Sequence, residues 1–163
     1  MQIRIGFGYD VHKLEEGLDF WLGGIKIPYT KGALGHSDAD VLIHAICDAL
    51  LGAANIRDIG FHFPDTSIEY KGIDSKILLK NVVDLLADKN YSIGNIDCTI
   101  CLQNPKINPF IPQMIATLST ILNITPDQLS IKATTTEKLG FVGREDGISA
   151  YSVVLIQGVQ VKN

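Results

Sequence analysis

GHSDADVLIHAICDALLGAAN, residues Gly35 to Asn55, reads as a capped helix that carries a polar stripe. Ser37 and Asp38 are the N-cap candidates, standing just before the apolar run. Leu42, Ala45, Ile46, Ala49 and Ala53 recur at helical spacing and predict the face that packs on a core. At about 100° per residue, His44 falls nearly opposite that face, with Asp40 and Asp48 one turn away on either side. Val41, Ile43, Cys47 and Leu51 hem the stripe in and predict limited access for water. A histidine flanked by carboxylates there needs a partner. Alone, it reads as a core histidine bonded to a neighbouring carboxylate, so its meaning depends on what the rest of the chain brings to it.

The 163 residues suffice for one domain with a full core, and 1–163 reads as a single domain without repeat or linker. Apolar residues at 46% and charged residues at 20% give an ordinary soluble balance. A net charge of −4 argues against a nucleic-acid or anionic-membrane surface. No apolar run reaches the roughly 20 residues of a membrane span. Three cysteines, without a secretory leader ahead of them, point to a reducing cytoplasm. Cys98 and Cys101 have redox-motif spacing, but in a strand positions i and i+3 face opposite sides. They read as small buried hydrophobes, with Cys47.

Working outward, Gln2 to His12 alternates as a strand, with Ile3, Ile5, Phe7 and Tyr9 against Arg4, Gly6, Gly8 and Asp10. In that register Asp10 and His12 share a side. Leu18 to Tyr29 predicts a short hairpin turning at Gly23-Gly24, and Tyr29 to His36 a polar loop. Ile56 to Gly72 is a long loop with aromatic residues, of a kind that tends to carry function. Asp74 to Asn90 predicts a second helix with Ile77, Leu78, Val82, Leu85 and Leu86 as its stripe. A strand follows from Ser92 to Leu102, then a helix from Pro112 to Leu122 and a strand from Leu129 to Ala133. A last strand, Ile148 to Val161, is apolar on both faces, with Tyr151, Val153 and Leu155 opposing Val154 and Ile156. The order predicts an α+β fold: a mixed β-sheet covered by helices on one face. With too few helices for the second face, burial against other subunits is expected.

Two groups of residues carry chemistry. Asp10, His12 and His44 make a three-ligand set that leaves a fourth tetrahedral position open, as in catalytic zinc sites. The same set suits non-haem Fe(II), so the ligands alone do not choose the metal. In the second group, Thr134, Thr135 and Thr136 offer hydroxyls and backbone N–H groups, and Lys138 and Arg144 offer charge, all suited to phosphate oxygens. Glu137 is an oxygen ligand for Mg²⁺ or Mn²⁺. An edge strand running into a plain glycine turn would look the same.

GYDVH, the GHSDADV helix, DIG with FPDT, NPKI with PFIPQM, and KATTTEKLGFVGR follow one another in an order that resembles the 2-C-methyl-D-erythritol 2,4-cyclodiphosphate synthases of the non-mevalonate isoprenoid pathway. The resemblance covers essentially the whole chain. It implies conversion of 4-diphosphocytidyl-2-C-methyl-D-erythritol 2-phosphate to the cyclic diphosphate and CMP, by attack of the 2-phosphate on the β-phosphorus. It also implies zinc on Asp10, His12 and His44, and a second divalent ion, Mg²⁺ or Mn²⁺, at Glu137. His36, Ser37 and Thr135 match residues that steady the phosphates in the transition state. Asp58, Ile59 and Gly60, with Phe63, Pro64, Asp65, Thr66 and Ser67, match the segment around the ribose and methylerythritol. Leu102, Gln103, Asn104, Pro105, Lys106, Ile107 and Asn108 match the cytosine pocket. Val11, Thr134, Thr136 and Phe141 fall at substrate-contact positions. A homotrimer is implied, with active sites between subunits and a central cavity that can hold an isoprenoid diphosphate near Arg144. Asp146 and Phe7 depart from the common pattern, where Glu and His are frequent. Asp40 and Asp48 read as supports for the ligands or as helix-packing bonds.

Overall fold

A computed structural model describes residues 2–159, the side chain of Glu69 aside. The long strand β1 (Ile3–Glu16) is antiparallel to β7 (Gly147–Gly158) along nearly its whole length. Beyond β7 lies β5 (Tyr91–Cys101), which is parallel to β6 (Leu129–Thr134). At the other edge β4 (Lys31–Leu34) pairs with the end of β1, so the five-stranded mixed sheet runs β4-β1-β7-β5-β6. The hairpin β2 (Phe20–Leu22) and β3 (Ile25–Ile27) stands apart and turns at Gly23 and Gly24, both at positive φ. Helices α1 (Val41–Ala53), α3 (Ser75–Asp88) and α4 (Ile111–Leu122) form one layer on the sheet. Single-turn helices α2 (Ile59–His62) and α5 (Gly140–Gly143) punctuate the long loops. The α+β reading holds.

Helix α1 is the centre of the core. Ten of its thirteen residues are buried, and His44 and Asp48 are half-buried. It packs on β1 at the closest possible range. A Cβ on Gly8 would stand 1.9 Å from the Ala45 carbonyl oxygen, and one on Gly6 1.9 Å from that of Ala49. The glycine side of β1 is therefore the core side. Its apolar side, with Ile5 71% and Phe7 62% exposed, faces outward and continues through Tyr151 and Val153 of β7. On β7 the inner residues Ile148, Ala150, Ser152, Val154 and Ile156 are buried. The outer side, expected to be buried, is bare in the single chain.

Several boundaries differ from the sequence expectation, each for a physical reason. The N-cap of α1 is Asp40, whose carboxylate accepts from Ile43 N–H at 3.1 Å; Ser37 and Asp38 make other bonds, described below. Strand β1 continues past His12 because the stretch read as a polar loop supplies β4 as its partner. The buried stripe of α3 is Ser75, Leu78, Leu79, Val82, Val83 and Leu86; Ile77 is exposed and Leu85 half-buried. Cys47 and Cys98 are buried, but Cys101 is only half-buried, on the opposite sheet face from Cys98. The last strand ends at Gly158, and the part expected at 160–161 lies outside the described residues.

Candidate functional site

Alternation along β1 sends Asp10 and His12 to the side that faces α1, and α1 turns His44 toward them. Asp10 Oδ2 lies 3.0 Å from His12 Nε2 and 3.0 Å from His44 Nδ1, and the two ring nitrogens are 3.2 Å apart. Metal–ligand bonds of about 2.0–2.1 Å in a tetrahedron set ligand atoms roughly 3.3 Å apart, so the triangle matches one face of such a site. The ring of His12 is oriented by its other nitrogen. Nδ1 is 3.0 Å from the Leu34 carbonyl, which only accepts, so Nδ1 carries a hydrogen and Nε2 is the nitrogen turned to the triangle, donating to Asp10 when the ring is protonated and free to give its lone pair to an ion when it is neutral. Gly35 leaves room for that ring, since a Cβ there would sit 3.0 Å from His12 Cε1. Among the described residues this is the one cluster of three such ligands.

The electrostatics agree. Burial pushes the Asp10 carboxyl up, but hydrogen bonds and charge from His12 and His44 outweigh it and hold the group well below the usual carboxylate range. Burial likewise pulls His12 down, while its bond to Asp10 raises it more, to a value above the ordinary one. The negative field that raises His12 is the field that attracts a divalent cation. The donor set fits a metal ion.

The triad opens into a cavity of about 340 Å³ walled by His36, Ser37, Ile59, Gly60, Phe63 and Asp65, among others. Ser37 Oγ is 3.1 Å from His44 Nε2, and His36 Nε2 lies 3.2 Å from the Ser67 carbonyl at the rim. Asp58 caps α2 by accepting from Phe61 N–H. Pro64 and Thr66 are exposed on the same segment, and Val11, between Asp10 and His12, points to the opposite sheet face.

A second, smaller cavity of about 120 Å³ gathers Leu102, Pro105, Lys106, Ile107 and Asn108 with Thr134 and Thr135. On the same loop Gln103 Oε1 is buried without a hydrogen-bond partner, and Asn104 donates to Glu145 at 2.7 Å. Thr135 donates to Glu137 at 3.0 Å, and Thr136 to the Leu139 carbonyl at 2.7 Å. Phe141 and Arg144 are exposed, Arg144 donating to Asp146 at 2.9 Å. The two groups do not meet within one chain. Val11, Ser149, Cys101 and Thr134 share a row of the sheet, three strand spacings end to end. That is about 14 Å.

The YgbB family model matches residues 3–157. The chain belongs to the YgbB family. Among curated relatives it is 64% identical over 157 residues to the 2-C-methyl-D-erythritol 2,4-cyclodiphosphate synthase of Bacteroides thetaiotaomicron, covering 96% of this chain and 99% of that protein. It is 65% identical over 159 residues to the synthase of Bacteroides fragilis, covering 98% and 100%. Among solved structures, an IspF of Plasmodium falciparum in complex with CDP is 39% identical, with a TM-score of 0.85 and 97% of each chain covered. The bifunctional IspDF of Campylobacter jejuni gives a TM-score of 0.94 at 38% identity over 98% of this chain, which spans 43% of that longer one.

Three further residues of this YgbB-family chain support the candidate site. Asp40, 0% exposed, accepts from Gly23 and Gly24 N–H at 3.0 and 2.7 Å as well as capping α1, which locks the hairpin to the helix that bears His44. Asp48 accepts from Ile59 N–H at 2.8 Å and so sets the wall of the larger cavity. Ser75, the first residue of α3, lies 2.9 Å from His44 Nε2. Asp40 and Asp48 stood on the polar stripe and were legible as supports. Ser75 was not, because nothing local links it to His44, thirty-one positions away.

Proposed function

We propose that this chain converts 4-diphosphocytidyl-2-C-methyl-D-erythritol 2-phosphate to 2-C-methyl-D-erythritol 2,4-cyclodiphosphate and CMP, as a cyclising phosphorus–oxygen lyase. The observation that carries the reading is the Asp10–His12–His44 triangle opening on the His36–Ser37 cavity, in a chain 64–65% identical, nearly end to end, to proteins that bear this synthase name. In the reaction an oxygen of the 2-phosphate bonds to the β-phosphorus. The bond from that phosphorus to its bridging oxygen breaks, and CMP leaves with the electron pair. A phosphate monoester is already anionic at neutral pH, so no strong base is required. What the protein must do is align two repelling phosphates and neutralise them.

In this reading Asp10, His12 and His44 hold zinc, which when bound supplies positive charge at the β-phosphate. His36 and Ser37, at the cavity rim, hold phosphate oxygens in line for attack. Thr135 donates to the charge that develops, and Glu137 carries Mg²⁺ or Mn²⁺ with the diphosphate. The α2 segment with Phe63 to Ser67 encloses the ribose and methylerythritol, and Leu102 to Asn108 the cytosine. The roughly 14 Å between the two groups of residues, together with the bare outer face of β1 and β7, supports a homotrimer whose sites combine the metal group of one subunit with the threonine group of a neighbour. Arg144 is placed by this reading at a central cavity able to take an isoprenoid diphosphate. Three free cysteines suit a reducing cytoplasm.

Incubation with the diphosphocytidyl substrate, zinc and Mg²⁺ should release CMP and the cyclic diphosphate in equal amounts. No CMP from a zinc-loaded oligomer would overturn the reading. The variant His44→Ala should fold and assemble, bind no zinc and give no product.

A further inference from the structure

We infer that Asp38 and Ser75 are positioning residues for the metal ligand His44, forming a chain carboxylate–hydroxyl–imidazole that fixes which ring nitrogen faces the ion. This rests on the metal reading of the triad. Ser75 is the first residue of α3 and is 0% exposed, so its hydroxyl must find its partners inside the protein. Three lie in reach: Asp38 Oδ1 in a short contact, His44 Nε2 at 2.9 Å and Ser37 Oγ at 3.4 Å. A carboxylate oxygen only accepts, so the single hydroxyl hydrogen of Ser75 goes to Asp38. Ser75 Oγ then accepts from His44, whose Nε2 carries the hydrogen. The lone pair of His44 is thereby left on Nδ1, the atom that stands 3.0 Å from Asp10 Oδ2 and 3.2 Å from His12 Nε2.

Asp38 is itself held in place. Its Oδ2 accepts from Ser75 N–H at 3.0 Å, its Oδ1 from Asp40 N–H at 3.2 Å, and its own N–H donates to the Ile73 carbonyl at 3.1 Å. The loop before α1 and the start of α3 are thus clamped on each other, and the clamp ends on the ligand. Ser37 Oγ, also near His44 Nε2, already accepts from Ala39 N–H at 3.2 Å. It is half-buried at the cavity rim, where substrate competes for it. Ser75 has no such competitor. The arrangement does for His44 what the Leu34 carbonyl does for His12: an acceptor behind the ring makes the metal-facing nitrogen the unprotonated one.

The test is zinc affinity, by competition with a chromophoric chelator, for the wild-type oligomer, Ser75→Ala and Asp38→Asn. Ser75→Ala removes the hydroxyl and keeps the backbone N–H bond to Asp38. Loss of an outer hydrogen-bond partner weakens metal binding by roughly 10- to 100-fold, and that rise in the zinc dissociation constant is expected for Ser75→Ala. Asp38→Asn should weaken zinc in the same direction, and it decides the matter if Ser75→Ala does not fold. Co²⁺ loading gives a second readout: the visible bands of the tetrahedral ion should shift or weaken in the variants. A purely structural role would lower the melting temperature of the metal-free protein and leave the zinc affinity of the folded protein unchanged. Unchanged affinity in folded variants, with wild type binding zinc, overturns the inference alone. Failure of the wild-type protein to bind zinc overturns the metal reading and the inference with it.

Discussion

Asp10 and His12 show how two residues one pleat apart become a charged pair with opposed pH dependences. The Asp10 carboxyl lies below its ordinary 3.8 and His12 above its ordinary 6.5. A lowered acid stabilises the fold above its unfolded value and loses that contribution as pH falls through the folded one. A raised histidine contributes fully below its unfolded value and loses the contribution as pH rises through the folded one. In metal-free protein the pair should therefore stabilise most between about pH 4 and pH 6.5. The gap in denaturation midpoint between wild type and Asp10→Asn, measured in chelator, should be widest there and narrow toward pH 9 or so. A gap that widens with alkali would refute the pairing. Excess zinc should restore the wild-type advantage at high pH, since the ion requires the neutral imidazole.

At the scale of elements, α1 is held by a buried carboxylate at one end and by two glycines along its length. Asp40 satisfies three backbone N–H groups, those of Ile43, Gly23 and Gly24. Leaving buried donors unmet costs about 1–3 kcal/mol each. Relief of the buried charge offsets part of this; burial already raises the Asp40 carboxyl above its usual range. Asp40→Ala should lose about 3 kcal/mol in urea unfolding, and Asp40→Asn less, because one acceptor oxygen remains. Gly8→Ala meets backbone, not a flexible side chain, at 1.9 Å, so α1 must shift from the sheet. A loss of about 3 kcal/mol is expected, with weaker metal binding because His44 moves with its helix. Much of this level was legible beforehand. Helical spacing marked α1, α3 and α4, the period-two pattern marked β1 and β5, and a run apolar on both faces marked β7. Strand β4 was hidden because four residues, Lys31 to Leu34, carry too little pattern to outweigh a glycine, and only their pairing with β1 makes them a strand.

For the whole molecule, the outer sheet face is the unfinished part. Ile3, Ile5, Phe7, Tyr9 and Val11 stand in a row on β1, all more than 40% exposed, beside Tyr151 and Val153 of β7. An apolar patch of that continuity marks an interaction surface. In the proposed trimer it lies between subunits, so Ile5→Asp should shift sedimentation from trimer to smaller species and reduce CMP release. Unchanged sedimentation together with full activity would show that this face is not the interface.

The linear chain by itself determined the class of fold and the residue types of the proposed metal group. Periodicity is a local property, and Asp10 and His12 are oriented by the pleat of the strand they share. Residues whose roles depend on distant partners were decided only by tertiary structure. The sheet register put the threonine loop three strands from the metal group, and the packing of α3 against the loop before α1 set Ser75 behind His44. Likewise, the apolar side of β1 proved to be the outer one. Alternation shows that a strand has two faces, whereas the helix that comes down on one of them, here against Gly6 and Gly8, decides which is inside.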